Sequence, residues 1–140
     1  MNYGWLPPES VRPIELAAED ESELPLIGLY YHVARGLPLD GANVLEIGCG
    51  RGRGARYITR YFQPSEMLDV NFSASATDLA RHLNSDRASL SFMVGDAERL
   101  GLPDGGFDIA LNIESPHCYG NMDNFIAEAV RVLQLGGRFG

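Results

Sequence analysis

Residues 44–58 read VLEIGCGRGRGARYI. A short apolar run carrying one acid, Glu46, breaks into four glycines within seven positions (48, 50, 52 and 54) and then into a helical pattern. A strand, a glycine turn and a helix in succession bring backbone close to a ligand, with N–H groups and the positive helix end turned toward it. One glycine suffices for a tight turn, so the extra ones point to a ligand. A dinucleotide phrase, G-x-G-x-x-G/A, can be laid on Gly50, Gly52 and Ala55. Glu46 weighs against it, because a carboxylate at that strand end repels a pyrophosphate and attracts a ligand bearing positive charge.

Outward from this stretch, strands and helices alternate. Residues 24–35 read as a helix, 43–47 as a strand, and 53–62 as a helix closed by Pro64. Residues 66–70 form a short second strand. Ser73 or Ser75 can cap a helix over 75–84, with Ala76, Leu79, Ala80 and Leu83 on one face. A third strand covers 89–94, a single helical turn 96–101, and an apolar fourth strand 107–113. A strong amphipathic helix spans 121–134, its face built from Phe125, Ala129, Val132 and Leu133. Leu135, Gly136 and Gly137 end it, and 138–140 open a fifth strand. The alternation predicts a doubly wound α/β domain around a parallel sheet. Residues 1–40 read as an amino-terminal arm with a lid helix, and 41–140 as the ligand-binding domain.

The 140 residues suffice for one core. The formal charge of −8 and pI near 4.7 disfavour nucleic acid as a partner. The densest basic cluster, Arg51, Arg53, Arg56 and Arg60, falls within one short helical segment. Two cysteines, Cys49 and Cys118, are too few for a disulfide scaffold and read as free thiols in a reducing cytoplasm. No apolar run reaches the length of a membrane span, and residues 1–10 lack the pattern of a signal peptide. His32, His82 and His117 share no ligand-like spacing, so no metal site is expected.

VLEIGCGRG (44–52), MLDVN (67–71), GDAERLGLPDGGFDIALNIES (95–115) and EAVRVLQLGGRF (128–139) together resemble class I S-adenosylmethionine-dependent methyltransferases, whose fold is Rossmann-like. YGWLP, LIGLYYHVA and NIESPHCYGNMDNFIAEAVRVL narrow the similarity to actinobacterial O-methyltransferases of lipids and natural products, among them those acting on phthiotriolone and phenolphthiotriolone lipids. The resemblance implies S-adenosylmethionine as cofactor, S-adenosylhomocysteine as its product, and O-methylation of a lipophilic lipid or polyketide. It also implies further strands after the fifth, so a chain ending at Gly140 reads as truncated there. A non-catalytic cofactor-binding remnant or partner subunit is the alternative, with an NAD-dependent oxidoreductase behind it. The open sheet edge offers a route to a homodimer.

The resemblance places the cofactor against Glu46, Gly48, Cys49, Gly50 and Gly52. Asp69, with Val70, is expected at the ribose, and Asp96 with Ala97 at the adenine. Asn112 and, from the lid helix, Tyr30 complete the set. Sites in such sheets lie beyond the carboxyl ends of the strands, so Glu114, His117 and Tyr119 are expected against the substrate. His117 is the expected general base, since an imidazole titrates near neutral pH. Tyr3, Trp5, Tyr30 and Tyr31 supply aromatic surface for a lid.

Overall fold

The apolar run ahead of the glycines forms the strand β1 (Asn43–Ile47), the centre of a five-stranded sheet. β2 (Glu66–Asn71), β3 (Leu90–Val94), β4 (Phe107–Leu111) and β5 (Leu133–Phe139) follow, in the spatial order β3-β2-β1-β4-β5. Every neighbouring pair is parallel. The computed structural model describes residues 4–6 and 15–140; Tyr3 and most of the arm ahead of residue 15 lie outside them. The chain order reverses between β1 and β4, which puts the topological switch point, and the crevice it opens, at the end of the glycine stretch.

Alternation along β1 sorts the two cores. Val44 faces α1 (Leu24–Ala34) and α2 (Arg53–Tyr61), in a cluster with Ile27, Tyr30, Ala34, Ile58 and Ile109. Leu45 and Ile47 face the other way, against Phe125, Ala129 and Val132 of α4 (Met122–Val132). α3 (Ala74–Leu83) joins the first face through Ala80, packed with Leu90 and Phe92. The lid helix α1 thus shares the core of the sheet. Among the described residues, no helix is long and apolar enough to cross a membrane.

Several boundaries differ from the sequence expectation. β2 runs through Asn71, one residue further, in full register with β1 from Asn43 and Glu66 to Ile47 and Val70. The expected helical turn at 96–101 is a tight turn instead: Asp96 Oδ1 accepts the Glu98 N–H at 2.9 Å, and the Arg99 N–H bonds the Asp96 carbonyl at 3.0 Å. The short aspartate side chain takes the Glu98 N–H locally, an alternative to helix that such residues favour. Ser73 is the cap of α3, accepting from the Ala76 N–H at 3.3 Å. The face it buries is Thr77 and Ala80, while Leu79 and Leu83 stay exposed.

α4 ends at Val132, and Leu133 leaves it to pair with Phe107. The ladder then shifts register and resumes at Arg138 and Phe139 opposite Ile109 and Ala110. The Leu135-Gly136-Gly137 stretch, expected to close the helix, forms this irregularity, with Gly136 at φ +83°.

The glycine at 54 has a packing cause. A β-carbon there would overlap the Tyr30 ring, which α1 lays across the first turn of α2. Gly54→Ala is expected to destabilise the fold by about 1–3 kcal/mol, toward the upper end because the ring is buried. Urea unfolding measures it, and a change below about 0.5 kcal/mol would sink this account of Gly54.

Candidate active site

β1 ends at Ile47, and its carbonyl is the fixed point of the site. Asn112, just past β4, donates from Nδ2 to that carbonyl at 2.7 Å, and Ser115 Oγ donates to it at 3.2 Å. Asn112 Nδ2 also lies 2.7 Å from both Ser115 Oγ and Tyr119 Oη, and these two hydroxyls sit 2.7 Å apart. Tyr119 packs its ring on Phe125, 4.7 Å between centroids. Gly48 follows at φ +87°, and a side chain there would collide with Ser115 and Tyr119. Gly50, at φ +59°, is different: nothing lies within 4 Å of where its β-carbon would be. Gly48 is therefore set by protein packing, while Gly50 faces open crevice.

Two cavities meet over this loop. The larger, about 580 Å³, runs between α1 and α2 and is walled by Leu26, Ile27, Tyr30, Tyr57 and Ile113, with Cys49 at the loop. The smaller, about 360 Å³, lies over the ends of β1, β2 and β3, against Val70, Asn71, Phe72, Asp96, Ala97 and Ser115. Gly48, Gly50 and Glu114 line both. Each volume is in the range of a small-molecule pocket.

The structure brings Gly48, Cys49, Gly50, Val70, Asp96, Ala97, Tyr30, Glu114 and Tyr119 to this crevice. Other expected residues fall elsewhere. Glu46 lines neither cavity. It is fully buried under the loop and accepts the Tyr30 hydroxyl at 2.6 Å. Asp69, its register neighbour on β2, is also fully buried. The two side chains leave the sheet on one face, side by side.

Asp69 was expected at the strand end, but β2 continues two residues beyond it. Asn71 takes the place at the rim, its Nδ2 donating to the Gly50 carbonyl at 2.9 Å. Asn112 lines neither cavity and is spent on the Ile47 carbonyl, although its Oδ1 is buried without a partner among the described residues. Tyr119 sits on the smaller cavity with its hydroxyl tied into the same network.

His117 lies in a short 3-10 turn, Pro116–Cys118, where it is exposed and lines neither cavity. The turn carries it past the rim, so the expected base is not in the crevice. Gly52 lines neither cavity, and a β-carbon there would meet Phe92 and Asn84. Asn71 and Phe72 went unread in the sequence. Asn71 follows Asp69 by two residues, the same-face spacing of a strand, and that was the available signal.

Burial controls the electrostatics beneath the loop. It raises the Glu46 carboxyl to about 7, against the opposing pull of the Tyr30 hydrogen bond. Burial, with the neighbouring Glu46, also raises Asp69 well above the usual carboxyl range. Glu46 Oε2 and both Asp69 oxygens have no hydrogen-bond partner among the described residues. Burial likewise pushes up the Tyr30 hydroxyl and the Cys49 thiol. No group of three or more histidine, cysteine or acidic side chains among the described residues could hold a metal ion.

Residues 45–140 match the family described as methyltransferase domain, and the chain belongs to that family. It is 38% identical over 141 residues to a fatty-acid O-methyltransferase of Mycolicibacterium smegmatis, covering 99% of this chain and 50% of the relative. It is 39% identical over 126 residues to the phthiotriol/phenolphthiotriol dimycocerosates methyltransferase of Mycobacterium tuberculosis, covering 90% of this chain and 46% of that protein. The chain thus spans about half the length of these relatives.

Among solved structures, the YcgJ protein of Bacillus subtilis superposes with TM-score 0.73 at 26% identity, over 79% of this chain and 47% of that one. The cyclase SpnF does so with TM-score 0.72 at 28% identity, over 79% and 42%.

The raised carboxyls make stability depend on pH. In the unfolded chain both groups lose their protons near pH 4; in the folded chain they keep them to higher pH, about 7 for Glu46. The folded state then binds more protons, so their contribution is full below the unfolded pKa and is lost as pH rises toward and through 7. The melting temperature of the ligand-free chain is expected to fall by several degrees between pH 5 and 7.5. Glu46→Gln, which keeps an acceptor for Tyr30, should flatten that slope in calorimetric scans. An equal slope in both proteins would contradict the buried-acid account.

Proposed function

We propose that this chain acts as an S-adenosylmethionine-dependent methyltransferase that O-methylates a hydroxyl of a lipophilic small molecule, a lipid or polyketide. The observation that carries the reading is the open face of Gly50, at the meeting of two cavities on the switch point of a methyltransferase-family sheet.

The residues of the smaller cavity fit the adenosine. Asp96 and the Ala97 N–H can meet the adenine edge, Phe72 can cover its ring, and the Asn71 side chain can reach a ribose hydroxyl. The loop at Gly48 and Gly50 admits the methionine end, and α2 starts at Gly52 with no side-chain cap on its first turn. Bound there, the cofactor supplies an electrophilic methyl on a cationic sulfur. The protein's part is to align an acceptor oxygen with it and exclude water. Leu26, Ile27, Tyr57 and Ile113 give the larger cavity an apolar wall, which supports a lipophilic acceptor. The names of the relatives, a fatty-acid and a phthiotriol-lipid methyltransferase, support the same class.

Pairing of two chains through the open β5 edge, where Leu135 and Phe139 are exposed, belongs to the same proposal; sedimentation at rising concentration measures it.

Titration calorimetry with S-adenosylhomocysteine should show binding to the wild-type chain. Gly50→Val should weaken it by about tenfold or more, since the new side chain fills the approach and strains a left-handed residue. Phe72→Ala should cost about fivefold or more, given about 1–3 kcal/mol for an aromatic stacked on a base. The melting temperature should stay the same, because Phe72 is 79% exposed. A wild-type chain that fails to bind would sink the reading.

A further inference from the structure

Among the described residues, Glu114 is the one side chain that lines both cavities; the other shared residues, Gly48 and Gly50, offer backbone alone. A cofactor in the smaller cavity and an acceptor in the larger can react only where the two spaces join. Glu114 therefore borders the reacting atoms, if the methyl-transfer reading holds.

Its backbone was put there against local preference. Glu114 has φ +57°, a left-handed conformation uncommon for a residue with a side chain. The surroundings impose it. The sheet ladder holds the chain through Asn112, whose N–H bonds the Gly140 carbonyl at 2.9 Å. The turn takes hold again at Ser115, whose carbonyl accepts the Cys118 N–H at 2.9 Å. Only Ile113 and Glu114 remain to make the bend. Such strain persists where surrounding structure over-determines it, and it clusters at functional sites.

Other acids stand in or beneath the crevice, but none of them lines both cavities. Glu23, in the larger cavity, pairs with Arg53 at 3.2 Å. Asp96, in the smaller, accepts the Glu98 N–H. Glu46 and Asp69 are buried beneath the loop and line neither space.

We propose that Glu114 is the charge-reading residue of this site, its carboxylate favouring a ligand that is cationic at the junction of the two cavities. This rests on the methyl-transfer reading above. S-adenosylmethionine carries that charge on its sulfur and S-adenosylhomocysteine does not, so the residue favours the substrate form of the cofactor over its product and eases product release. The role that the sequence gives to Glu46 thereby passes to a residue 68 positions later.

Two-ligand calorimetry separates the possibilities. Glu114→Gln is expected to weaken S-adenosylmethionine by about fivefold or more while S-adenosylhomocysteine stays within about twofold. Glu114→Gly, relieved of its strained backbone, is expected to melt at a higher temperature and to lose the same discrimination. Equal weakening of both ligands in the glutamine variant would mean a structural role, and an unchanged ratio in either variant would mean no charge reading; each overturns the proposal. If the wild-type chain bound neither ligand, the methyl-transfer reading itself would fall.

Discussion

The site hangs from one carbonyl. Ile47 ends β1 with an oxygen that would otherwise be stranded at the switch point, because the β4 ladder has already ended at Glu46 opposite Leu111. Asn112 and Ser115 satisfy it from beyond β4, and Tyr119 closes the group from the next turn. Buried polar groups left without partners cost on the order of 1–3 kcal/mol each, so this arrangement is hard to loosen piecemeal. Its consequences spread outward. Gly48 can carry no side chain, because Ser115 and Tyr119 occupy that space. The loop must rise over them, which exposes Gly50. The post-β4 chain, held at Asn112 and Ser115, must bend at Glu114.

Beneath that loop lies a second constraint. Two carboxyls stand side by side in the sheet with no cation paired to either among the described residues, and burial answers by favouring their protonated forms. Tyr30 donates its hydroxyl to Glu46 of the pair, and it comes from α1. The same ring presses on α2 over Gly54. One aromatic residue thereby joins the lid helix, the acid below the loop and the helix that follows it. α1 closes the larger cavity and simultaneously seals the acids from water, so the wall of that cavity and the stability of the sheet are coupled.

The alternation of strands and helices was legible because it follows from periodicity, and so was the face of α4: Phe125, Ala129 and Val132 were read at helical spacing and are buried. Leu79 and Leu83 misled because α3 turns Thr77 and Ala80 to the sheet, and a small face suits close packing on β3. The glycine loop was legible as a ligand site, yet the reasons for individual residues were not. Asp69 was placed by assuming that β2 stopped near it, and a strand end is fixed by pairing with β3, which continues to Asn71 opposite Val94. His117 was placed by proximity in sequence to β4. A 3-10 turn rotates it outward, and nothing local announces that Glu114 will take the left-handed bend instead.

The two cavities are held by different kinds of interaction. The smaller stands over strand ends and the Ile47 network, which is largely buried hydrogen bonding. Beside the larger, whose lining includes Glu23, residues 19–23 carry Glu19, Asp20 and Glu23 onto the arginines of α2. Arg60 meets Glu19 at 2.8 Å and Asp20 at 3.1 Å, and Arg53 meets Glu23 at 3.2 Å. Arg56 turns to Asp86. Three of the four arginines in the basic cluster of the sequence, Arg53, Arg56 and Arg60, are thus paired with acids of the same chain. Exposed pairs of this kind contribute about 0–1 kcal/mol each and weaken with salt. The Glu23 edge of the larger cavity is therefore more easily opened than the floor of the smaller one. Such a division suits the proposed methyl transfer to a lipophilic acceptor, since the low-stability elements of a fold are the ones free to move.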